Sequence, residues 1–486
     1  MERHPFKLWN RYNLISKLAL LCAPTLLGVI GFAVDGSLKP SDALYTCVCM
    51  HMLGYQSTPP NLWVELARWT APLATVGTVV LLLTALQVRL RNGLCYLRGN
   101  SVAVYGPEKE RAELLAELGR SGIEGQSKFV NAHSYVLLNS EEENFSFYTV
   151  NRQKLRDRDV YLQCRSLPAQ FAANERLYLF YPEETAARLF WKQRRMYDIS
   201  ARCGHRMQIV FLGFGRLGEE LLRYGLLDNI FHPEQRIAYH IFGDGSAFTA
   251  IHTQLSAIND PVIFHKEPWY EDMALFDGAA ALIVLEQDDQ LRLLQNLLLA
   301  TTAPKIDVFI NSSAGMELLT GQERLSLFAW KQEAQKPEHI FRNALFAQAK
   351  QLNLYYARQF ASGEDYDAER AWRKLDAFTR YSNVSEADYH SVRLQILSAM
   401  GVPAEAGRIP SDTMELLAEL EHIRWCRYHY LYNWRYGVPE NGQNKDPLRR
   451  IHPYLLPYAE LPEEAREKDR EGIRALLKLD LNGDGQ

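Results

Sequence analysis

One stretch near the start of the chain constrains its fold more than any other. Residues 69–88 form a run of twenty residues without a charged side chain, closed by Arg89 and Arg91. A helix rises about 1.5 Å per residue, so about 20 residues cross a hydrocarbon core of about 30 Å. In lipid, such a helix also satisfies its own backbone hydrogen bonds. The run therefore predicts a membrane-spanning helix, and a buried core helix is the alternative.

A second apolar run, at residues 18–34, holds seventeen uncharged residues. It is long for the apolar part of a signal peptide, and a further apolar run follows it, so two spans are favoured over cleavage. Basic residues flank the pair on its outer sides: Arg3, Lys7, Arg11 and Lys17, then Arg89, Arg91 and Arg98. The loop between the runs carries only Lys39 and Arg68. We therefore expect a two-span hairpin at residues 1–96 in the cell (inner) membrane, with both termini cytoplasmic.

Length, charge and cysteine content narrow the remaining options. The 486 residues are too many for one compact core, so we expect several units. The net charge is −4, and no basic stripe appears beyond the flanks of the apolar runs, which argues against a nucleic-acid partner. The seven cysteines form no C-x-x-C pair or Cys/His cluster, so no metal site is expected.

The loop between the two apolar runs has the layout of a pore element. Residues 41–52 are apolar enough to form a short helix at membrane depth, and Pro59 and Pro60 end the segment. Five residues follow that helix as a candidate pore loop: Met52, Leu53, Gly54, Tyr55 and Gln56. An ordinary extracytoplasmic loop is the alternative.

Over about residues 12–91, this order of span, short helix, Gly-Tyr turn and span resembles tetrameric potassium-type channels. The filter of that family reads Thr-Val-Gly-Tyr-Gly, whereas this chain has Met52 in place of the Thr and Gln56 in place of the second Gly. The resemblance implies a homotetramer in a lipid bilayer with a monovalent cation passing through the pore. The two departures leave its ion selectivity open.

From residue 97 onward, short apolar strands alternate with amphipathic helices, a pattern typical of parallel sheets covered on both faces. We expect two Rossmann-like, doubly wound parallel sheets, in residues 97–204 and 205–328. In the first, the turn after the opening strand begins Gly106-Pro107 and lacks the G-x-G-x-x-G pattern. This unit is therefore predicted to be a degenerate copy without a phosphate site.

The second copy carries a glycine motif. Gly213, Gly215 and Gly218 form G-x-G-x-x-G between a predicted strand and a predicted helix, and Asp244 follows the next strand. In dinucleotide-binding folds the glycines shape the turn around a pyrophosphate, and the carboxylate binds a ribose hydroxyl. The motif predicts a site for NAD or another nucleotide. The alternative is that the glycines serve packing alone.

Two Rossmann-like units after a two-span pore resemble the RCK-type regulatory domains that gate potassium channels, over roughly residues 97–325. The resemblance implies a cytoplasmic ring that pulls on the inner helix. Residues 329–408 follow as an all-α connector. Six of its residues are similar to a helical segment found beside ryanodine-receptor repeats and are candidates to line a site: Trp372, Arg380, Ser382, Asn383, Asp388 and His390. A plain pair of packing helices is the alternative.

The last unit, residues 409–486, has the most specific pattern, because its run H-P-x-L-x-P-Y-x-x-L is followed by Lys468-Asp469-Arg470. It closely resembles the ryanodine-receptor repeat and is expected to be a small, mainly α domain. Aromatic and basic side chains offer stacking faces and phosphate donors for a nucleotide-like ligand. The candidate ligand-binding residues are His422, Trp425, Trp434, Tyr436, Lys445, His452 and Tyr458. A docking domain without a small ligand is the alternative.

Together these features predict a ligand-gated cation channel subunit that is not an enzyme and that senses a nucleotide-type ligand through its RCK-like and ryanodine-repeat units. The resemblances imply a role in bacterial nucleotide signalling or antiviral defence. One alternative is a membrane-anchored nucleotide sensor without ion conduction. Another is a tethered NAD-dependent oxidoreductase, although no acid/base constellation follows the glycines at recognisable spacing.

Overall fold

The structure is a computed structural model of the chain. It describes residues 14–125, 129–165, 176–286, 289–302, 305–310, 323–341, 344–360, 367–440 and 443–483, and the backbone alone at 14–20, 81, 82, 84, 85, 344, 359, 360 and 480–483. The chain divides into two compact units, Met1–Ser101 and Val102–Gln486.

The first unit is helical in its described part, with α1 (Leu14–Asp35), α2 (Pro40–Met50) and α3 (Leu62–Leu97). Glycines on α1 let the helices approach closely. A Cβ at Gly28 would lie 2.5 Å from the Cys47 Sγ, and one at Gly31 would lie 2.7 Å from the Val64 Cγ2. Asn61 joins α1 to the start of α3, because its Nδ2 donates to the Gly31 carbonyl at 2.7 Å.

The prediction of two membrane spans in this unit is wrong: in the part of the chain that the structure describes, no helix is both long and apolar enough to cross a membrane. Both uncharged runs do lie within helices, residues 18–34 in α1 and residues 69–88 in α3. The predicted inner-membrane location and topology are withdrawn with the spans.

Residues 52–56, the predicted pore loop, form the turn that ends α2. The Gly54 N–H donates to the Cys49 carbonyl at 2.9 Å, and Leu53 adopts φ +59°, which closes the helix end. Tyr55 is half-buried, while Met52, Leu53 and Gln56 are exposed. The pore, its cation and the homotetramer all depended on the two spans, so we do not carry them further.

The second unit contains two parallel sheets, as the alternation of strands and helices predicts. The first sheet has the order β2-β1-β3-β4-β5, with every neighbouring pair parallel. Its elements are β1 (Val102–Tyr105), α4 (Glu108–Leu118), β2 (Gly122–Glu124), β3 (Ser134–Leu137), α5 (Glu141–Leu155), β4 (Asp159–Gln163) and β5 (Leu177–Phe180).

The second sheet is reached through α6 (Pro182–Gln193) and α7 (Met196–Arg202). Its order is β11-β10-β9-β6-β7-β8, the doubly wound arrangement in which two halves meet between β6 and β9. Its elements are β6 (Arg206–Leu212), α8 (Gly215–Asp228), β7 (Arg236–Phe242), α9 (Ser246–Ile251), β8 (Val262–His265), α10 (Ala274–Asp277), β9 (Ala279–Val284), α11 (Gln290–Ala300), β10 (Ile306–Phe309) and β11 (Leu325–Phe328).

The rest of the chain is mainly helical, as predicted from its apolar spacing. Asp376 caps its longest helix, because its carboxylate accepts from the Thr379 N–H at 2.7 Å. The elements are α12 (Trp330–Ala334), α13 (Pro337–Ile340), α14 (Ala347–Phe360), α15 (Ala368–Arg373), α16 (Ala377–Ala399), α17 (Ser411–Leu431), β12 (Arg435–Tyr436), β13 (Ile451–His452) and α18 (Glu463–Gly483).

A single hydrophobic core joins the second sheet to the C-terminal helices. It includes Leu222 of α8, Tyr389 of α16, Leu420 of α17 and Ile473 of α18, all fully or almost fully buried. Helix α17 therefore does not lie on the surface of a separate domain. It runs through the common core of the second unit.

Buried ion pairs cross this core. Arg427 of α17 contacts Asp260, which follows α9, at 2.7 Å, and the Asp260 side chain has no exposed area. Glu421 lies between Arg393 of α16 and Arg424 of α17, both of which pair with it. Removing one partner of a buried pair leaves an uncompensated charge, which costs more than the pair itself contributes.

We expect Arg427→Met to lower the free energy of unfolding by about 3–5 kcal/mol, because it leaves the Asp260 carboxylate buried with a charge partner missing. Urea denaturation of the full chain measures this. Arg408→Met is the matched control, since Arg408 is 67% exposed and pairs only at the surface with Glu405. The control should change stability by no more than about 0.5 kcal/mol. If the two variants were equally stable, the buried ion pair between Arg427 and Asp260 would not be needed for the stability of the fold.

Candidate functional site

Glycines shape the turn that connects β6 to α8. Gly213 has φ +86°, a conformation that favours glycine, and a Cβ there would lie 2.8 Å from the Glu286 backbone nitrogen. A Cβ on Gly218 would lie 2.7 Å from the Phe214 Cδ2 and 3.1 Å from the Leu285 Cδ1. These two glycines are therefore required by close packing inside the protein.

Gly215 differs from its two neighbours in the motif, because the position of its missing Cβ faces open space. Apart from its chain neighbours and its own helix backbone, no described atom lies within 4 Å of that position, and φ is +58°. Gly215 is also the first residue of α8, which has 14 residues. The first N–H groups of a helix have no partner within it, and the helix dipole favours negative charge there. An anionic group can therefore approach the backbone at this point.

Asp244 lies two residues after the end of β7, beside the glycine turn in the sheet order. One carboxylate oxygen accepts from the Ser246 N–H at 2.9 Å, and this backbone hydrogen bond, followed by one from the Ser246 side chain, lowers the pKa of Asp244. The residue is exposed. Its carboxylate is thus charged at neutral pH and accessible at the carboxyl end of the sheet.

Two cavities open at this end of the sheet. One, of about 670 Å³, is lined by Asp244, Ser246, His265 and Trp269. The other, of about 420 Å³, is lined by Gly213 and again by Trp269. In doubly wound sheets, ligands bind in the crevice outside the carboxyl ends of the strands, where the strand order reverses. The glycine turn, Asp244 and Trp269 lie at this end of the sheet.

The sequence motifs do not identify Trp269 or His265 as site residues. His265 stacks on Phe242 with ring centroids 4.4 Å apart, and its Nε2 lies 2.9 Å from the His240 Nδ1. The only signal available is positional, since these residues follow β8 and the carboxyl ends of parallel strands meet at one edge of the sheet.

A second group of predicted residues converges in the C-terminal unit. Trp425 is half-buried between two histidines, with ring centroids 3.9 Å from His429 and 4.8 Å from His452. Burial, and then the charge of Lys445, lowers the pKa of His452 to about 4. Burial likewise lowers the pKa of His429, to about 3. At neutral pH this is a cluster of uncharged aromatic rings beside a lysine.

His422 is buried at the other side of Trp425. Its Nε2 donates to the Leu456 carbonyl at 2.8 Å, and its Nδ1 lies 3.6 Å from the Asp469 carboxylate. Burial lowers the pKa of His422, but the hydrogen bonds to Asp469 and Cys426, together with their charges, outweigh it and raise the pKa to about 10. The imidazolium is therefore a fixed part of the fold.

The seven predicted ligand residues of the RyR domain differ in their burial and in their partners. His422 and Trp434 are buried, and Trp434 stacks on Phe378 at 5.4 Å, so these two serve packing. Tyr458 donates to Glu415 at 2.9 Å. The remaining four form the outer set, in which Tyr436 pairs with His452 across β12 and β13 and Lys445 is exposed: Trp425, Tyr436, Lys445 and His452.

Comparison with known proteins identifies this unit. Residues 409–482 match the family model of the RyR domain. The prediction of a C-terminal ryanodine-receptor repeat is thereby confirmed. The match covers only this part of the chain, and the predicted channel and RCK-type resemblances have no support. A search of curated proteins finds no match to the chain.

Hydrogen bonds connect the RyR domain to helices α8 and α9, which flank the second sheet, and to the residue that follows α9. The Arg427 Nη1 donates to the Leu226 carbonyl of α8 at 3.0 Å. The His252 Nδ1 donates to the Leu431 carbonyl at the end of α17 at 2.6 Å. Just beyond, the Asn433 side chain donates to the Ile251 carbonyl at 2.7 Å. The helix that begins at the glycine turn is thus in direct contact with the RyR domain.

The six connector residues that the sequence predicts as site residues lie in different surroundings. Trp372 and Arg380 line a cavity of about 460 Å³. The Asp388 carboxylate accepts from Arg188 of α6 at 2.6 Å, and the Asn383 side chain lies 3.4 Å from that of Asn353. His390 is buried and Ser382 half-buried, both on α16. Trp372 and Arg380, two of the six predicted residues, therefore line a cavity together.

The raised pKa of His422 predicts a loss of stability at alkaline pH. A group whose pKa rises from an ordinary 6.5 to about 10 on folding stabilises the protein fully below pH 6.5 and loses that effect as pH rises through 10. The stability advantage of the wild type over Asp469→Asn should therefore shrink by at least about 1.4 kcal/mol, the value of one pKa unit, between pH 6.5 and 10.

Urea denaturation at several pH values measures this difference. Glu467→Gln is the control, because Glu467 is 42% exposed and pairs with arginines, which do not titrate in this range. Its difference from the wild type should stay constant. A constant difference for Asp469→Asn as well would contradict a protonated His422.

Proposed function

We propose that this chain is a nucleotide sensor without catalytic activity of its own. The second parallel sheet binds NAD or another nucleotide at its carboxyl end, and occupancy of that site acts on the RyR domain. One observation carries the proposal: among the described residues there is open space at Gly215, at the start of α8 and between two glycines that are tightly packed.

Each part of a dinucleotide has a group to hold it. The first N–H groups of α8 would donate to the oxygens of a pyrophosphate, since they lack partners within the helix. The charged Asp244 carboxylate would accept from ribose hydroxyls. Trp269 lines both cavities and offers a ring face to a base. The residues present fit the group that the glycine motif implies.

The first sheet is proposed to bind no nucleotide. Its corresponding turn begins at Gly106, where a Cβ would lie 2.6 Å from the Leu138 Cβ. This glycine therefore lies against a neighbouring strand end and leaves no approach for a phosphate. The contrast with Gly215 supports the proposal that the second sheet binds the nucleotide and the first does not.

Helix α8 supplies the physical link between the nucleotide site and the RyR domain. It begins at Gly215 in the crevice, and the Leu226 carbonyl in its last turn accepts from Arg427 of the RyR domain. A ligand that binds one position of α8 better than another would change the preferred position of α17 by the same free energy.

The RyR domain itself is a second candidate for a nucleotide-type ligand. The exposed Lys445 acts on His452 electrostatically, and Trp425 and Tyr436 present aromatic surface beside it. Stacking on a base and a charge-assisted bond to a phosphate together suit a mononucleotide. This outer set supports a smaller site than the crevice, which has a helix N-terminus as well.

We expect Gly215→Asn to abolish nucleotide binding or weaken it at least about tenfold. Asparagine tolerates a positive φ, so the fold survives, while its side chain fills the space that a phosphate needs. The measurement is calorimetric titration of the full chain with a panel that includes NAD, NADP and ATP.

Gly204→Asn is the matched control. Gly204 has φ +59° and, like Gly215, no atom within 4 Å of a Cβ, but it lies before β6 and outside the crevice. It should bind as the wild type does. If no nucleotide of the panel binds the wild type, or if Gly215→Asn binds as tightly as Gly204→Asn, the proposed site is wrong.

A further inference from the structure

A fourth cavity, also of about 460 Å³, is lined by residues of the first sheet's unit, the second sheet's unit, the connector and the RyR domain. It is separate from the crevice described above, because it flanks α8 on the side that faces α17. Four arginines from distant parts of the chain line it: Arg165, Arg216, Arg223 and Arg450. This convergence has no counterpart in any sequence motif.

Arg165, Arg216 and Arg223 form ion pairs with glutamates. Arg216 bridges Glu219 and Glu220 at 3.2 and 3.0 Å, and the Arg223 Nε donates to Glu220 at 2.9 Å. Arg165, at 56% exposure, pairs with Glu183 outside the cavity lining at 3.1 Å. The partners Glu183 and Glu220 are buried, at 7% and 6% exposure, so breaking either pair would be costly. A guanidinium has five N–H donors, so Arg165 and Arg216 can keep these pairs and still donate to a ligand.

Arg450 approaches from the RyR domain. Its Nη1 donates to the Tyr432 carbonyl at 3.0 Å, which leaves other N–H groups of the guanidinium available for an acceptor. Its backbone has φ +53°, which is unusual for a residue other than glycine. The loop therefore holds Arg450 at the cavity in spite of a small conformational cost.

The carboxylates that line the cavity do not cancel this positive charge. They are Glu184, Glu219 and Glu220 against four arginines. Burial raises the pKa of Glu184, in spite of the opposing effect of Arg223. Its oxygens accept hydrogen bonds from Tyr224 at 3.0 Å and Tyr381 at 3.4 Å. The lining therefore presents more guanidinium groups than carboxylates to a ligand.

We propose that this cavity binds a small molecule carrying a diphosphate group. Guanidinium groups match phosphate oxygens in paired hydrogen bonds, and arginines are preferred where phosphates are recognised. Tyr181, Tyr381 and Tyr432 add ring surface and hydroxyl groups to the lining. A diphosphate bound there would join Arg165 of the first sheet's unit to Arg450 of the RyR domain.

The test uses inorganic pyrophosphate as the probe and calorimetric titration of the full chain at constant ionic strength. Arg165→Gln and Arg450→Gln should each weaken pyrophosphate binding at least about tenfold, because each removes a charge-assisted contact. Two matched controls should stay within about twofold of the wild type. Arg176→Gln changes an arginine that is 54% exposed and pairs with Asp159, and Arg449→Gln changes one that is 54% exposed and pairs with Glu440.

The glycine turn is the other place where this chain is expected to bind a diphosphate, and Gly215→Asn separates the two sites. The inference is upheld if Arg165→Gln and Arg450→Gln weaken binding while their controls do not. It is overturned if pyrophosphate does not bind the wild type at millimolar concentration. It is also overturned if only Gly215→Asn weakens binding, or if the controls weaken it as much as the cavity variants do.

Discussion

The charge pairs buried along α17 are the interactions on which the second unit depends. Glu421 is compensated by Arg393 and Arg424, and Arg427 compensates an aspartate of the second sheet's unit, Asp260. A buried ion pair needs accurate geometry, because each charge without its partner costs several kcal/mol. These pairs therefore tolerate few positions of α17 relative to the sheet, and they fix the RyR domain in one place within a shared core.

That constraint makes the unit suitable for transmitting a binding event. Helix α8 begins at the open glycine turn and ends against α17, and the arginine-lined cavity lies beside the same two helices. If α8 moved, α17 would therefore have to move with it, because otherwise the buried ion pairs would break. Packed cores respond to such displacements in discrete steps, because they deform little. The crevice, the arginine-lined cavity and the RyR domain are thus connected through the same pair of helices, α8 and α17.

Local patterns allowed part of this structure to be predicted. Alternating strands and helices indicated two parallel sheets, and G-x-G-x-x-G placed Gly215 at a strand-to-helix turn, because both signals depend on neighbouring residues. The membrane hairpin was wrong, since no helix in the described part of the chain is both long and apolar enough to span a membrane, although both uncharged runs are helical. The contact of Arg427 with Asp260 joins residues far apart in the chain, and so does the cavity that both Arg165 and Arg450 line. No spacing rule predicts them, because they depend on how the whole unit packs.

The central claim is that the nucleotide crevice and the RyR domain are coupled through α8 and α17. Amide hydrogen exchange of the full chain, with and without saturating NAD or the tightest binder of the nucleotide panel, tests it most directly. The account predicts slower exchange in two places at once: at residues 215–228, in the helix that begins in the crevice, and at residues 427–433, in the RyR domain. Slower exchange confined to the crevice, with residues 427–433 unchanged, would contradict the coupling.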